Sequence, residues 1–174
     1  MVLKRLLPDK KFPPYAFVPG SHPHPEKSGG HMEGEKVHVL KPLDPKDIYA
    51  SKEFLFALDL YNFGYYWESH VYLEALWNCS QRKGPVADFL KALIKLCAAG
   101  VKVKTREESG VKGHAQRARE LFIQLGREVH DNHFAGFSIL NLISQAEDIM
   151  ENSSNYIKSS NLEGPVFPFP IYPQ

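Results

Sequence analysis

Between residues 44 and 151 the apolar positions recur at a spacing near 3.6, the period of a helix that buries one face. The first stretch opens at Asp44-Pro45-Lys46-Asp47, which offers an N-cap acceptor, a proline at the first helical position and an acid in the first turn. Ile48, Leu55, Leu58 and Tyr61 then share a stripe, and Gly64 can adopt the left-handed conformation that closes a helix. A second helix is predicted from Tyr65 to about Gln81. A third follows Gly84-Pro85, from Val86 to about Lys104. It is apolar nearly all round and carries Ala92, Ala98, Ala99 and Gly100, the pattern of a central, closely approached helix. The fourth is expected over about 113–126, on Ala115, Ala118, Leu121, Phe122 and Leu125, and the fifth over about 136–151, on Leu140, Ile143, Ala146 and Met150. No run alternates as a half-buried strand does. The expected fold class is all-α, a single bundle of about five helices.

Proline marks the limits of that bundle, because inside a helix it removes a donor and clashes with the preceding turn. Of the 13 prolines, those at 8, 13, 14, 19, 23 and 25 crowd the beginning and those at 165, 168, 170 and 173 the end. The division this predicts is an extended Pro/His-rich arm over 1–43, a helical body over 44–151, and an extended apolar, Pro-rich tail over 152–174. Tyr15, Phe17 and Val18 on the arm, with Val166, Phe167, Phe169, Ile171 and Tyr172 on the tail, are too apolar for solvated disorder. Both ends are expected to dock on the body.

Charge adds an exclusion. Lys and Arg number 21 against 20 Asp and Glu, a formal charge of +1, without the basic excess that neutralises phosphates on a duplex. The expected partners therefore do not include nucleic acid. No run reaches the length of about 18 apolar residues that a bilayer crossing needs, so no membrane partner is expected either. Cys79 and Cys97 are too few for a disulfide framework or a zinc quartet. With no signal-like apolar stretch at MVLKRLLPDKKF, they point to a reducing cytoplasm.

Candidate chemistry gathers on the second helix. On a wheel at about 100° per residue, Tyr66, Trp67, Val71, Leu73 and Trp77 span an arc of roughly 160°, with His70 and Glu74 in its middle. These two stand at i and i+4, close enough to meet. Buried ionisable groups must satisfy each other, meet other polar groups or hold a ligand. The pair is thus either a structural hydrogen bond or half of a site. Glu68 points about 160° away from His70 and joins it only where the helix begins irregularly or another element bends round.

Of the eight histidines, four lie on the arm, His22, His24, His31 and His38. Imidazole with carboxylate suits zinc, iron or manganese. A divalent metal on His24, His31, His70 and Glu74 is therefore one expectation, against a solvated loop with incidental histidines. Gly29-Gly30 lets the backbone turn tightly just before His31. Lys91, Lys95 and Lys102 lie within about 40° on the third helix, where they form either a solvated edge or a seat for an anion. His114, on the apolar stripe of the fourth helix, reads as a capping or core residue. The two cysteines follow no Cys-x-x-Cys pattern and read as buried thiols.

The strings ALDLYNFGYYWESHVYLEALW (57–77) and FLKALIKLCAAGVK (89–102) resemble the helical family catalogued as domain of unknown function 309, with similarity extending through GVKGHAQRARELF to about residue 122. The signature is read here as Gly64, Tyr66, Trp67, Glu68, His70, Glu74 and Trp77, and the arm resembles an extension found in one branch of that family. The resemblance implies an all-α bundle with Glu68, His70 and Glu74 at signature positions, and implies no reaction. Val71 stands where the family usually has an acid, which leaves a carboxylate-rich site one ligand poorer. Spacing of Ala57, Tyr61, Gly64 and Tyr66 is also similar to half of a tetratricopeptide unit. A shift of about 34 residues finds no second copy, which argues against a stacked scaffold.

Two functions follow. One is a small polar site on the second helix, with Glu68, His70, Glu74, Trp67 and Trp77 as candidate ligand-binding residues for a metal or a small anionic ligand, with hydrolysis within reach of a His–Glu pair. The other is a protein-interaction module without chemistry, in which that pair is architecture.

Overall fold

A computed structural model describes residues 3–174. Six helices make the body: α1 (Lys52–Asn62), α2 (Tyr66–Cys79), α3 (Pro85–Lys104), α4 (Glu108–Val129), α5 (Ile139–Glu151) and α6 (Ser153–Ser159). Among the described residues the fold is all-α apart from one short hairpin, β1 (His133–Phe134) and β2 (Phe137–Ser138). Among the described residues no helix is long and apolar enough to cross a membrane.

The first helix begins later than the sequence suggests. Asp44 turns its carboxylate onto the Lys46 amide at 2.9 Å instead of starting a helix, a local side-chain bond that competes with helix formation. A 3-10 turn over Ile48–Ala50 follows, and Ser51 caps α1 by accepting from the Phe54 amide at 3.2 Å. The hairpin was missed because it has only two residues per strand, joined at Ala135-Gly136. Both have positive φ, +52° and +79°, as a tight hairpin turn requires. Helix α4 starts at Glu108, ahead of the expected 113, with Gly110 and Gly113 inside it. Helix α6 occupies residues expected to be extended.

Helices α1 and α2 fold back on each other, with the Ser69 hydroxyl donating to Ala57 O at 2.8 Å and the Phe56 ring 5.2 Å from Tyr72. Gly64 sets this turn with φ +86°. A Cβ there would come 2.2 Å from Gly164 O of the tail, so the position is closed to side chains by contact as well as by backbone strain. Helix α3 runs between α2 and α4, and α5 covers α4. The core is Phe54, Phe89, Phe122 and a leucine set including Leu58, Leu73, Leu76, Leu93 and Leu96. Cys97 is buried in it and donates to Ser69 Oγ at 3.3 Å, and burial pushes its thiol up to about 12.

Candidate functional site

Described residues of the arm and of the tail lie against the α1–α2 hairpin. Asp59, wholly buried on α1, accepts from Arg5 Nε at 2.8 Å and from the Leu6 and Leu7 amides at 2.7 and 2.9 Å. The arm then crosses α2, packing Phe12 against Phe63 and Tyr65 with ring centroids 5.0 and 4.9 Å away. Lys10 donates to the Tyr72 hydroxyl at 3.0 Å. Beyond Phe17 the chain loops over residues 24–32, where Met32 N donates to Pro25 O at 2.9 Å. Gly30 permits that closure, since a Cβ there would come 2.1 Å from His24 O. The loop delivers His31 to α2.

His31 meets Glu68 rather than His70. Its Nε2 is 3.0 Å from Glu68 Oε1, which also accepts the Phe17 amide at 2.8 Å. Both side chains are enclosed, 5% exposed for His31 and 0% for Glu68. Glu68 Oε2 is buried and, among the described residues, has no hydrogen-bond partner. Glu68 and His31 line a cavity of about 190 Å³ together with Lys10, Phe12, Phe56 and Tyr72. Tyr15 packs edge-on against His31 at 4.6 Å and flat against His22 at 4.7 Å.

The remaining candidates fall elsewhere. Glu74 is exposed and His70 only partly buried, which corrects the expectation that both occupy the centre of the buried face. The wheel placed that face too far toward Trp67 and Trp77, whose large rings sit at its rim. Trp67 is covered by Phe17 and His24 of the arm at 5.4 and 5.2 Å, and Trp77 by the Arg82 and Lys91 cations at 4.8 and 5.5 Å. The face that α1 and α3 bury is Tyr66, Ser69, Leu73 and Leu76, and the arm closes over Glu68. No group of three or more His, Cys, Asp or Glu able to hold a metal ion forms among the described residues. The divalent-metal expectation on His24, His31, His70 and Glu74 therefore has no ligand cluster behind it: His24 is spent on Trp67, and His31 on Glu68.

Two polar anchors were missed. Asp59 was legible as the one acid inside the otherwise apolar run FLFALDLY, a residue that needs a partner if its helix is buried. Lys104 was not. It is buried at the end of α3, where Nζ donates to Gly64 O at 2.8 Å and Leu162 O at 2.9 Å. Burial lowers its ammonium from 10.5 to about 8.

Residues 54–113 match the family described as domain of unknown function (DUF309). The matched stretch runs from α1 into α4 and includes Trp67, Glu68, His70 and Glu74. His31, Lys10 and the rest of the arm lie outside the matched stretch. No curated protein and no solved structure matches the chain.

Proposed function

We propose that the chain binds a small organic molecule in the cavity roofed by the arm, with Glu68 Oε2 accepting from the ligand and His31 able to exchange a proton beside it. The observation that carries this reading is the asymmetry of Glu68. One carboxylate oxygen serves two donors, and the other, equally enclosed, serves none. A buried acceptor left without a donor costs about 1–3 kcal/mol, and exceptions of this kind call for a specific cause. A ligand carrying an amine or hydroxyl is such a cause. The cavity's size suits a molecule smaller than the usual drug-sized ligand, and its aromatic walls suit a ring. An ionised carboxylate only accepts, so in its bond to one the Nε2 of His31 would be the donor, and a neutral ring would then leave Nδ1 to accept from a bound hydroxyl or water.

The test is a panel of amine- and hydroxyl-bearing aromatic fragments screened by saturation transfer against the wild type and Glu68→Gln. Fragments that bind the wild type and are lost in a variant with unchanged circular dichroism support the reading. Fragments that bind both equally, or none at all, overturn it. The interaction-module reading rests on a separate observation, Leu40 at 94% and Tyr49 at 62% exposure, with Leu40 on a groove of about 520 Å³. It leads if the panel fails.

A further inference from the structure

The outer face of α3 gathers three lysines, of which Lys95 makes no hydrogen bond or ion pair among the described residues. Lys91, Lys95 and Lys102 follow one stripe within about 40° of one another, and all three are half-buried. Helix α3 lies between α2 and α4, and each neighbour contributes a partly buried histidine, His70 from α2 and His114 from α4. The aliphatic stem of Lys102 packs against Gly110 of α4, where a Cβ would collide with it, and this contact fixes the α3–α4 edge of the face. At the other end Lys91 and Arg82 flank the Trp77 ring.

What distinguishes Lys95, His70 and His114 is that none of them makes a hydrogen bond or an ion pair among the described residues. Lys102 is already held by Glu107 at 2.6 Å. Lys95 stands on the helix against which both α2 and α4 pack, so the helices that carry the two histidines flank it. Burial lowers His70, with Lys95 adding to the effect against Glu74 of α2 and Glu26 of the arm, which raise it. Burial also lowers His114, joined by Lys95 and Lys102 of α3 and by His70, with only Glu107 opposing. The acids are at the rim: Glu74, Glu26 and Glu107 are all exposed, and Glu107 is bound by both Lys102 and Thr105. Like charges brought together in a half-buried place resist protonation until an anion joins them.

We infer that this face, centred on Lys95 between His70 and His114, binds the phosphate group of a small phosphorylated molecule. Donors from three helices suit a tetrahedral group with several oxygens better than a planar carboxylate, which a single arginine fork would serve. The acidic rim and the formal charge of +1 limit the occupant to one compact anion, since a nucleic-acid backbone would also meet Glu26, Glu74 and Glu107.

Pyrophosphate is the probe, titrated into the full chain by calorimetry while the imidazole resonances are followed by NMR. Saturable binding is expected, with the His70 and His114 resonances both moving and their titration midpoints rising. Affinity should increase from about pH 8 to about pH 6 as the histidines gain charge. Lys95→Gln should weaken binding about tenfold or more, the loss of one charged hydrogen bond. His114→Gln should do the same if Lys95→Gln misfolds. Lys112→Gln, at an exposed lysine of α4 paired with Glu108, should change nothing. The inference is overturned by any of four results: no saturable binding at millimolar pyrophosphate, unmoved histidine resonances, equal losses in Lys112→Gln and Lys95→Gln, or tighter binding of a single-stranded oligonucleotide than of pyrophosphate.

Discussion

The arm and the tail cross the same helix hairpin, the tail beyond α6 and the described residues of the arm in irregular conformation, and they are fastened by different chemistry. Carboxylates hold the arm: Asp59 and Glu68 project from α1 and α2 and accept the amides of Leu6, Leu7 and Phe17. The tail is held by apolar burial and by neutral or cationic groups. Phe167 and Ile171 are buried, the Asn62 amide exchanges two bonds with the Ile171 backbone at 2.8 and 3.0 Å, the Tyr66 hydroxyl accepts Val166 N at 2.9 Å, and Lys104 donates to Leu162 O. Helical backbone groups are consumed within their own helices, so an extended segment docking on helices must find its partners in side chains. The arm's amides meet the two acids, whereas the tail's amides meet the neutral oxygens of Asn62 and Tyr66 and its carbonyls meet Asn62 and Lys104.

That contrast predicts where substitutions hurt. Asp59→Ala strands the Leu6 and Leu7 amides and takes from the part-buried Arg5 its only carboxylate partner among the described residues, leaving it the Leu7 and Lys10 carbonyls, and breaking such a pair from one side is costly. A loss of about 3 kcal/mol or more is expected in urea unfolding, together with fast exchange of the Leu6 and Leu7 amides. An Asp59→Ala protein with wild-type stability and protected arm amides would mean that the arm is held by something other than this carboxylate.

On the tail the expected effect is intermediate and depends on pH. The unfolded chain keeps the Lys104 proton to about pH 10.4, whereas the folded chain releases it at about 8. Between those values the unfolded state binds more protons, so this group makes folding more favourable as pH rises. Below about 8 both states are protonated and its cost is constant. Tyr61 and Tyr66, both pushed up by burial, act in the opposite sense above about pH 10, where unfolded tyrosines ionise. Cys97, its thiol also pushed up by burial, opposes Lys104 from about pH 8.5, but it and the tyrosines are common to wild type and variant and cancel in a paired comparison over about pH 8 to 9.5. Wild-type stability should gain on Lys104→Met across that range, as measured by paired urea titrations; a constant difference would show that burial does not depress the lysine.

The same contrast shows what could be read from the residues alone. The helical body was legible because periodicity survives in a helix packed on one side, and Gly64 was legible because an abrupt turn between two helices needs positive φ. The site was less so. A helical wheel assumes one buried face, and α2 has two, one against α1 and α3 and one under the arm. Only the route of residues 3–32, set by Asp59 and by the closed loop at Gly30, determines that Glu68 rather than Glu74 is enclosed. Lys104 was invisible because its partners, Gly64 O and Leu162 O, are backbone groups brought together by the tail.

The smallest expected effect is the sharpest check on that second face. Glu74→Gln alters an exposed residue that makes no hydrogen bond among the described residues, and stability should change by no more than about 0.5 kcal/mol. Glu68→Gln, one turn and a half away, keeps an acceptor for the Phe17 amide but gives up the charge that His31 meets, at a cost of about 1–2 kcal/mol. Its effect should be local as well, with Phe17 exchanging faster while the core amides of α3 keep their protection. If the order were reversed, with Glu74→Gln the more damaging, the buried arc of α2 would be centred on His70 and Glu74 after all, and the arm could not be seated where Glu68 and His31 now hold it.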